Sequence, residues 1–235
     1  MDTVVLNIEG LYKKYKKQNI LQDINLQIPP ATICALLGPN GSGKTTLLKL
    51  ILDLVHTSHY VLFERIERES IRYMPQQPNF PSNMKVKELF QFLQKLKKQK
   101  AIDLDVLVRN FGVNFFLNKT MRELSGGMIQ RVNIVQAFMF TGKLYLLDEP
   151  TMGLDPYSAF LFKKMLLERK EQGATILFTS HIMGEVEELA DIVMLMLEGR
   201  IHTQSDPQSL IRDAKAKTLE EALHFYWMER EKEIK

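Results

Sequence analysis

With 235 residues, 45% of them apolar and 25% charged, the sequence is long enough for one large domain or two small lobes with a sizeable core. A net charge of +3 is too small to argue for nucleic acid as a partner. The single cysteine, Cys34, forbids an internal disulfide, and no apolar run approaches the roughly 20 residues of a membrane-spanning helix. The chain is therefore expected to be cytosolic and to reach a membrane only through other chains.

Residues 3–8 read as a first strand and 19–28 as a second, closed by Pro29 and Pro30. Between them, Lys13-Lys14-Tyr15-Lys16-Lys17 reads as a polar loop. Its lysines, like those between Lys95 and Lys100, read as solvated faces, with docking near an anionic membrane surface as the sharper alternative. Tyr15 is an exposed aromatic suited to stacking on a nucleotide base, a contact worth about 1–3 kcal/mol whatever the base.

The apolar run 33–37 reads as a buried strand, with Cys34 a small core side chain and not a reactive thiol. It leads into Gly38-Pro39-Asn40-Gly41-Ser42-Gly43-Lys44-Thr45-Thr46, which fits the pattern G-x-x-x-x-G-K-[ST], and helix-forming residues follow. Strand before and helix after is the context that gives this motif its meaning. The glycines let the backbone curl so that successive N–H groups face phosphate oxygens, and the helix N-terminus adds its partial positive charge. Lys44 is placed to reach the β- and γ-phosphates, and the Thr45 hydroxyl to ligate Mg²⁺.

His56-Thr57-Ser58-His59 reads as a connecting loop, two histidines without a third metal ligand nearby. Short strands follow at 60–63 and 70–74, ending at Pro75-Gln76-Gln77-Pro78. From 85 to about 100 the period becomes helical, with Val86, Leu89, Phe90, Leu93 and Leu96 on one side, and a second helix covers about 104–111. Residues 79–123 thus read as a small helical lobe inserted in a strand-rich order.

Leu124-Ser125-Gly126-Gly127-Met128 is a second small-residue loop at a helix start, suited to phosphate through its N–H groups and the Ser125 hydroxyl. One chain already has a phosphate loop, so a second suggests service to a nucleotide held by another copy. The buried strand 144–147 ends at Asp148-Glu149-Pro150, where an open α/β sheet presents ligand-facing residues. Asp148 suits the Mg²⁺ shell, and Glu149 suits orienting or deprotonating the attacking water. A helix over 157–172 stops at Gly173, and a buried strand over 174–179 delivers His181 toward the γ-phosphate. A helix near 183–190, a strand at 192–197 and a turn at Glu198-Gly199 follow. Thr218-Leu219-Glu220-Glu221 is a capping-box pattern for a terminal helix, docked on its own domain or offered to a partner. Apolar strands alternating with helices argue for a mainly parallel sheet covered on both faces.

In this order the motifs resemble those of the nucleotide-binding subunits of ATP-binding-cassette (ABC) transporters, and the resemblance covers about residues 3–228. It implies a P-loop NTPase, RecA-like α/β core with a mainly parallel sheet, a small antiparallel β subdomain and an inserted helical subdomain. The domain plan is one ATPase domain over 1–228, with core 1–78 and 124–210, helical lobe 79–123 and a helical tail over 211–235. By resemblance Tyr15 stacks on adenine, and Gly38 to Thr46 is the Walker A loop. Gln76 (or Gln77, if the register slips) is the Q-loop glutamine, a sensor of γ-phosphate and Mg²⁺. Ser125, Gly126 and Gly127 belong to the signature loop, with Met128 where glutamine is commonest. Asp148 belongs to Walker B, Glu149 is the catalytic glutamate, Asp155 lies in the D-loop, and His181 is the switch histidine.

The resemblance also implies ATP and Mg²⁺ as cofactors and a head-to-tail dimer, with itself or a paralogue, around two ATP. Its remaining partner is a transmembrane permease, which holds it peripherally at the cytoplasmic face of the plasma membrane. The short cassette and the Thr218-Leu219-Glu220-Glu221-Ala222-Leu223 ending are similar to those of stand-alone exporter ATPases. The competing readings are a soluble ABC ATPase of assembly, as in iron–sulfur or copper-enzyme maturation, and a small-molecule kinase. The kinase reading leaves the Ser125 loop and His181 without a purpose.

Overall fold

The computed structural model describes residues 4–16, 18–56, 62–63, 66–98 and 101–233. Two sheets form its frame. The larger has strand order β5-β6-β7-β3-β8-β9, built from β3 (Ile33–Leu37), β5 (Ile71–Met74), β6 (Leu144–Leu147), β7 (Thr175–Thr179), β8 (Ile192–Leu197) and β9 (Arg200–Ser205). All its pairings are parallel except β8 with β9. The smaller sheet is antiparallel, β1 (Leu6–Tyr15) lying between β2 (Gln18–Ile28) and β4 (Leu62–Phe63).

The continuous apolar runs of the parallel strands have a direct cause. Side chains alternate between faces, so each strand feeds two cores. Ile33, Ala35, Leu37, Tyr145, Leu147, Ile176, Phe178, Val193 and Leu195 enter one core. Their neighbours Cys34, Leu36, Leu144, Leu146, Leu177, Met194 and Met196 enter the other. The second core is closed by Leu47, Leu48 and Ile51 of α1 (Lys44–Ile51) and by β1 and β2. The first is closed by α4 (Gly126–Phe138), α5 (Pro156–Glu171), α6 (Met183–Leu189) and Leu219 and Leu223 of α8 (Leu219–Glu233). Within it Phe138 stacks on Tyr145 at 4.7 Å and meets Phe162 edge-on at 5.8 Å.

Between β5 and β6 lie α2 (Val86–Lys97) and α3 (Leu104–Asn110). Val86, Leu89 and Phe90 are buried and Leu93 packs partly, but Leu96, expected on the same side, is 65% exposed. The helix simply outruns its support by its last turn. A further helix unread in the sequence, α7 (Pro207–Asp213), follows β9. Its signal was present: Asp206 accepts from the Ser209 N–H at 2.9 Å, and Pro207 occupies the first turn. At α8 the capping box is half formed. The Glu221 N–H donates to Thr218 Oγ1, while the Glu221 carboxylate takes the N–H of Lys217, one residue earlier than the pattern requires.

The lysine-rich stretch is not a loop. Lys13, Lys14 and Tyr15 belong to β1, and Tyr15 pairs with Gln18 of β2. Some expectations fall on residues outside those described: the beginning of the first strand at Thr3, the loop residues Thr57 to His59, the start of the short strand at Tyr60 and Val61, and Lys17 and Lys100 at the ends of the lysine clusters. His56 is exposed, and its carbonyl accepts from the Lys13 ammonium. Among the described residues no helix is long and apolar enough to cross a membrane, and no three His, Cys, Asp or Glu side chains are grouped to hold a metal.

Candidate active site

The carboxyl ends of the four neighbouring strands β5, β6, β7 and β3 deliver Gln76, Asp148 with Glu149, His181, and the Gly38–Thr46 loop to one side of the sheet. There they line a cleft of about 400 Å³ with Gln18 and Ile20 of β2.

The loop curls because its three glycines, each at positive φ, allow it. Gly38 has φ 151° and Gly43 φ 109°. A Cβ at Gly38 would lie 2.0 Å from the Met196 carbonyl oxygen, and one at Gly43 2.7 Å from Leu21 Cδ2. Lys44 is only 8% exposed, and its ammonium donates to the carbonyls of Gly38 at 2.7 Å and Pro39 at 3.0 Å. Burial lowers its pKa, opposed by the negative charge of Glu149 and then Asp148. With two of three ammonium protons on its own loop, Lys44 retains a donor for an anion in the cleft.

A short hydrogen-bond chain sets the acidic side. Thr45 Oγ1 donates to Asp148 Oδ2 at 2.8 Å, and Thr179 Oγ1 donates to Asp148 Oδ1 at 2.8 Å. The Glu149 N–H donates back to Thr179 Oγ1, also at 2.8 Å. Glu149 takes φ 49°, uncommon for a residue with a side chain, and its N–H is held in that conformation by Thr179. Thr179 escaped the sequence reading because it sits inside an apolar strand; the one signal was a hydroxyl at the strand's ligand-facing end.

Glu149 is 7% exposed, and its Oε1 makes no hydrogen bond. His181 Nε2 lies 2.9 Å from that oxygen, close enough for an ion pair when the imidazole is protonated. Burial raises the Glu149 pKa; His181, then Lys44, oppose it, and Asp148 adds to the rise. Burial that raises the affinity of a carboxylate for protons makes it a better proton acceptor than a free carboxylate.

The residues fit a magnesium ion. Thr45 and Asp148 present oxygens 2.8 Å apart, and Gln76 lines the same cleft. Mg²⁺ takes hard oxygen donors and commonly binds through one or two carboxylates plus substrate phosphates, so no all-protein cage is needed.

Some expected residues lie elsewhere. Tyr15 is 47% exposed and does not line the cleft; the Lys13 ammonium sits 5.0 Å over its ring. Ser125, Gly126 and Gly127 are likewise absent from the cleft. Ser125 caps α4 by accepting from the Met128 N–H, and Gly127 packs close to the Gly153 carbonyl. Asp155 caps α5 through Ser158 and pairs with Arg131 at 2.6 Å. These contacts, the Ser158 hydrogen bonds foremost, hold its carboxyl below the usual range.

A parallel sheet with a phosphate-type loop, a carboxylate aligned on that loop's threonine and a second carboxylate beside it defines a P-loop nucleotide-binding protein. Comparison with known proteins narrows the class. Residues 21–152 match the family model described as ABC transporter. The chain is 32% identical to the lantibiotic transport ATP-binding protein SrtF of Streptococcus pyogenes, over 84% of this chain and 89% of that one. It is 28% identical to the lipopolysaccharide export system ATP-binding protein LptB of Haemophilus influenzae, over 91% and 95%. A solved ATP-binding subunit of an ABC transporter superposes with a TM-score of 0.86 at 25% identity, covering 95% of this chain and all of that one. The chain belongs to the ABC transporter family and is an ATP-binding subunit of that family.

Proposed function

We propose that the protein hydrolyses ATP in the described cleft and couples that hydrolysis to export through a separate membrane-spanning partner. One observation carries the reading: Lys44, Thr45, Asp148, Glu149, Gln76 and His181 share a cleft, whereas the Ser125 loop lies outside it. Lys44 and the loop N–H groups bind the phosphates. Thr45, Asp148 and Gln76 would hold Mg²⁺, which would supply charge neutralisation to the bound triphosphate. Glu149 orients and deprotonates the water, and His181 faces the γ-phosphate.

Ser125, Gly126 and Gly127 complete the site of a second copy or a paralogue, so two ATP are bound at a head-to-tail interface, with Asp155 in the adjoining D-loop. Tyr15, exposed near the end of β1, stacks on the adenine of the bound nucleotide. The segment 79–123 and Gln76 meet the permease, which keeps the protein at the cytoplasmic face of the plasma membrane. The export direction is supported by the relative named for an export system.

The test is capture of partners from native membranes with tagged Glu149→Gln, ATP and Mg²⁺. Stoichiometric recovery of a multi-span membrane protein supports the coupling; soluble partners alone refute it.

A further inference from the structure

Along one side of α4 three amide side chains recur at i, i+3 and i+6: Gln130, Asn133 and Gln136. Asn133 is fully buried and Gln130 is 5% exposed. Buried amides on a helix beside a hydrophobic core need partners, and these find them in sequence. Gln136 Nε2 donates to Asn133 Oδ1 at 3.2 Å and to the Tyr73 carbonyl at 3.2 Å. Asn133 Nδ2 donates to Gln130 Oε1 at 3.4 Å and to the Pro75 carbonyl at 2.8 Å. Gln130 Nε2 donates to the Pro150 carbonyl at 2.8 Å. Asn133, at the centre, uses both N–H donors and its oxygen.

The two proline carbonyls are informative. Pro75 immediately precedes Gln76, and Pro150 immediately follows Glu149. A carbonyl accepts only donors, so the amide orientation of Asn133 is fixed, and with it the direction of the whole chain. Aligned amides polarise one another and stiffen the row. The N-terminus of the same helix is the Ser125 loop, and the next turn holds Asp155 through Arg131. The Asp148 N–H closes the loop on the far side by donating to the Met74 carbonyl at 2.8 Å.

We infer that this head-to-tail amide row makes α4 a rigid coupler. It fixes the peptide groups beside Gln76 and Glu149 relative to the Ser125 loop, and makes Asn133 and Gln136 positioning residues for hydrolysis. The inference rests on the proposed reading of the cleft. Neither side chain touches the cleft itself; each acts by holding a loop from behind. A small displacement of α4 at its Ser125 end is therefore carried to both catalytic loops of the same chain.

The experiment is steady-state ATP hydrolysis by the purified full chain with MgATP, each variant assayed well below its Tm. Asn133→Leu keeps the branched heavy-atom skeleton and removes all three hydrogen bonds. It is expected to lower kcat about ten-fold with KM changed less than about two-fold, the signature of misplaced catalytic groups and intact ATP binding. In a Gln76→Ala background the same change should cost less than about two-fold, because the backbone contact of Asn133 itself is to the Pro75 carbonyl beside Gln76, while the loop after Glu149 is still held by Gln130. Gln136→Met, at the half-buried end of the row, should lower kcat in the same direction by about three-fold, and decides the matter if Asn133→Leu does not fold. A kcat within two-fold of wild type in the folded variants, or full additivity with Gln76→Ala, overturns the coupling. Wild-type protein that does not hydrolyse ATP overturns the reading of the cleft instead.

Discussion

Glu149 concentrates the chemistry and the strain of the site in one residue. Its left-handed backbone is held by Thr179, and its buried Oε1 lies 2.9 Å from His181 Nε2. Glu149→Gln is expected to bind ATP but to lose turnover by roughly 10²–10³; phosphate release assays and size-exclusion with ATP measure the two halves separately. The raised pKa of Glu149 also carries a sign. A carboxyl raised on folding contributes stability that is present below its unfolded pKa and lost as pH rises through the folded value. Glu149→Gln should therefore melt higher than wild type at pH 8, with the gain shrinking as the pH falls to about 4, and thermal melts across that range show it. Thr179→Val removes the hydroxyl that joins Asp148 to the Glu149 N–H. It should cost about 1–3 kcal/mol of stability, because it leaves a buried donor unmet, and should slow turnover, both recovered in Thr179→Ser; urea unfolding and ATPase assays check this.

At the level of elements, the sequence carried the strands and motif loops well and the connections poorly. The runs 33–37, 144–147 and 192–197 were legible because a strand buried on both faces leaves an unbroken apolar signature. The Lys13–Tyr15 stretch was misread as a loop because β1 leaves its sheet's protected part there, and exposed strand ends carry charge as loops do. The cleft residues of Walker A and Walker B type were legible as contiguous motifs. Thr179 and the amide row of α4 were not, since their partners lie 20 to 63 residues away in sequence. Helix α5 offers a test at this scale. Asp155 both caps it and binds Arg131. Asp155→Ala should destabilise by about 1 kcal/mol, while Asp155→Asn, an equally good cap, should retain most of the stability; chemical denaturation separates the two.

For the whole molecule, two faces of one sheet are given different tasks. One is closed by α1 and the antiparallel sheet, the other by α4, α5, α6 and α8. The cleft opens at the strand ends, walled by the Gly38–Thr46 loop, by β2 of the antiparallel sheet, and by Gln76, Asp148, Glu149 and His181 after the parallel strands. Lys44→Ala should abolish ATP binding and ATP-driven association together, and retained micromolar affinity in a titration would refute the role of Lys44. The antiparallel sheet is also tied to the main one: the Gln22 N–H donates to the Gly199 carbonyl and Gln204 donates to the Gln27 carbonyl. Movement of either layer is thus felt at β2, whose Gln18 and Ile20 form one wall of the cleft.

Cys34 lies at the centre of that arrangement, fully buried in β3, its pKa pushed up to about 12 by burial and then by Asp191. It is the one thiol of the sequence. A maleimide or nitroxide reagent will therefore pass over the folded protein and find only a cysteine placed deliberately on its surface. Fluorescence or spin labels for following the two lobes can be attached to the natural chain without first removing a cysteine. Conversely, the slow labelling of Cys34 itself becomes a clock for opening of the central sheet, readable by mass alone.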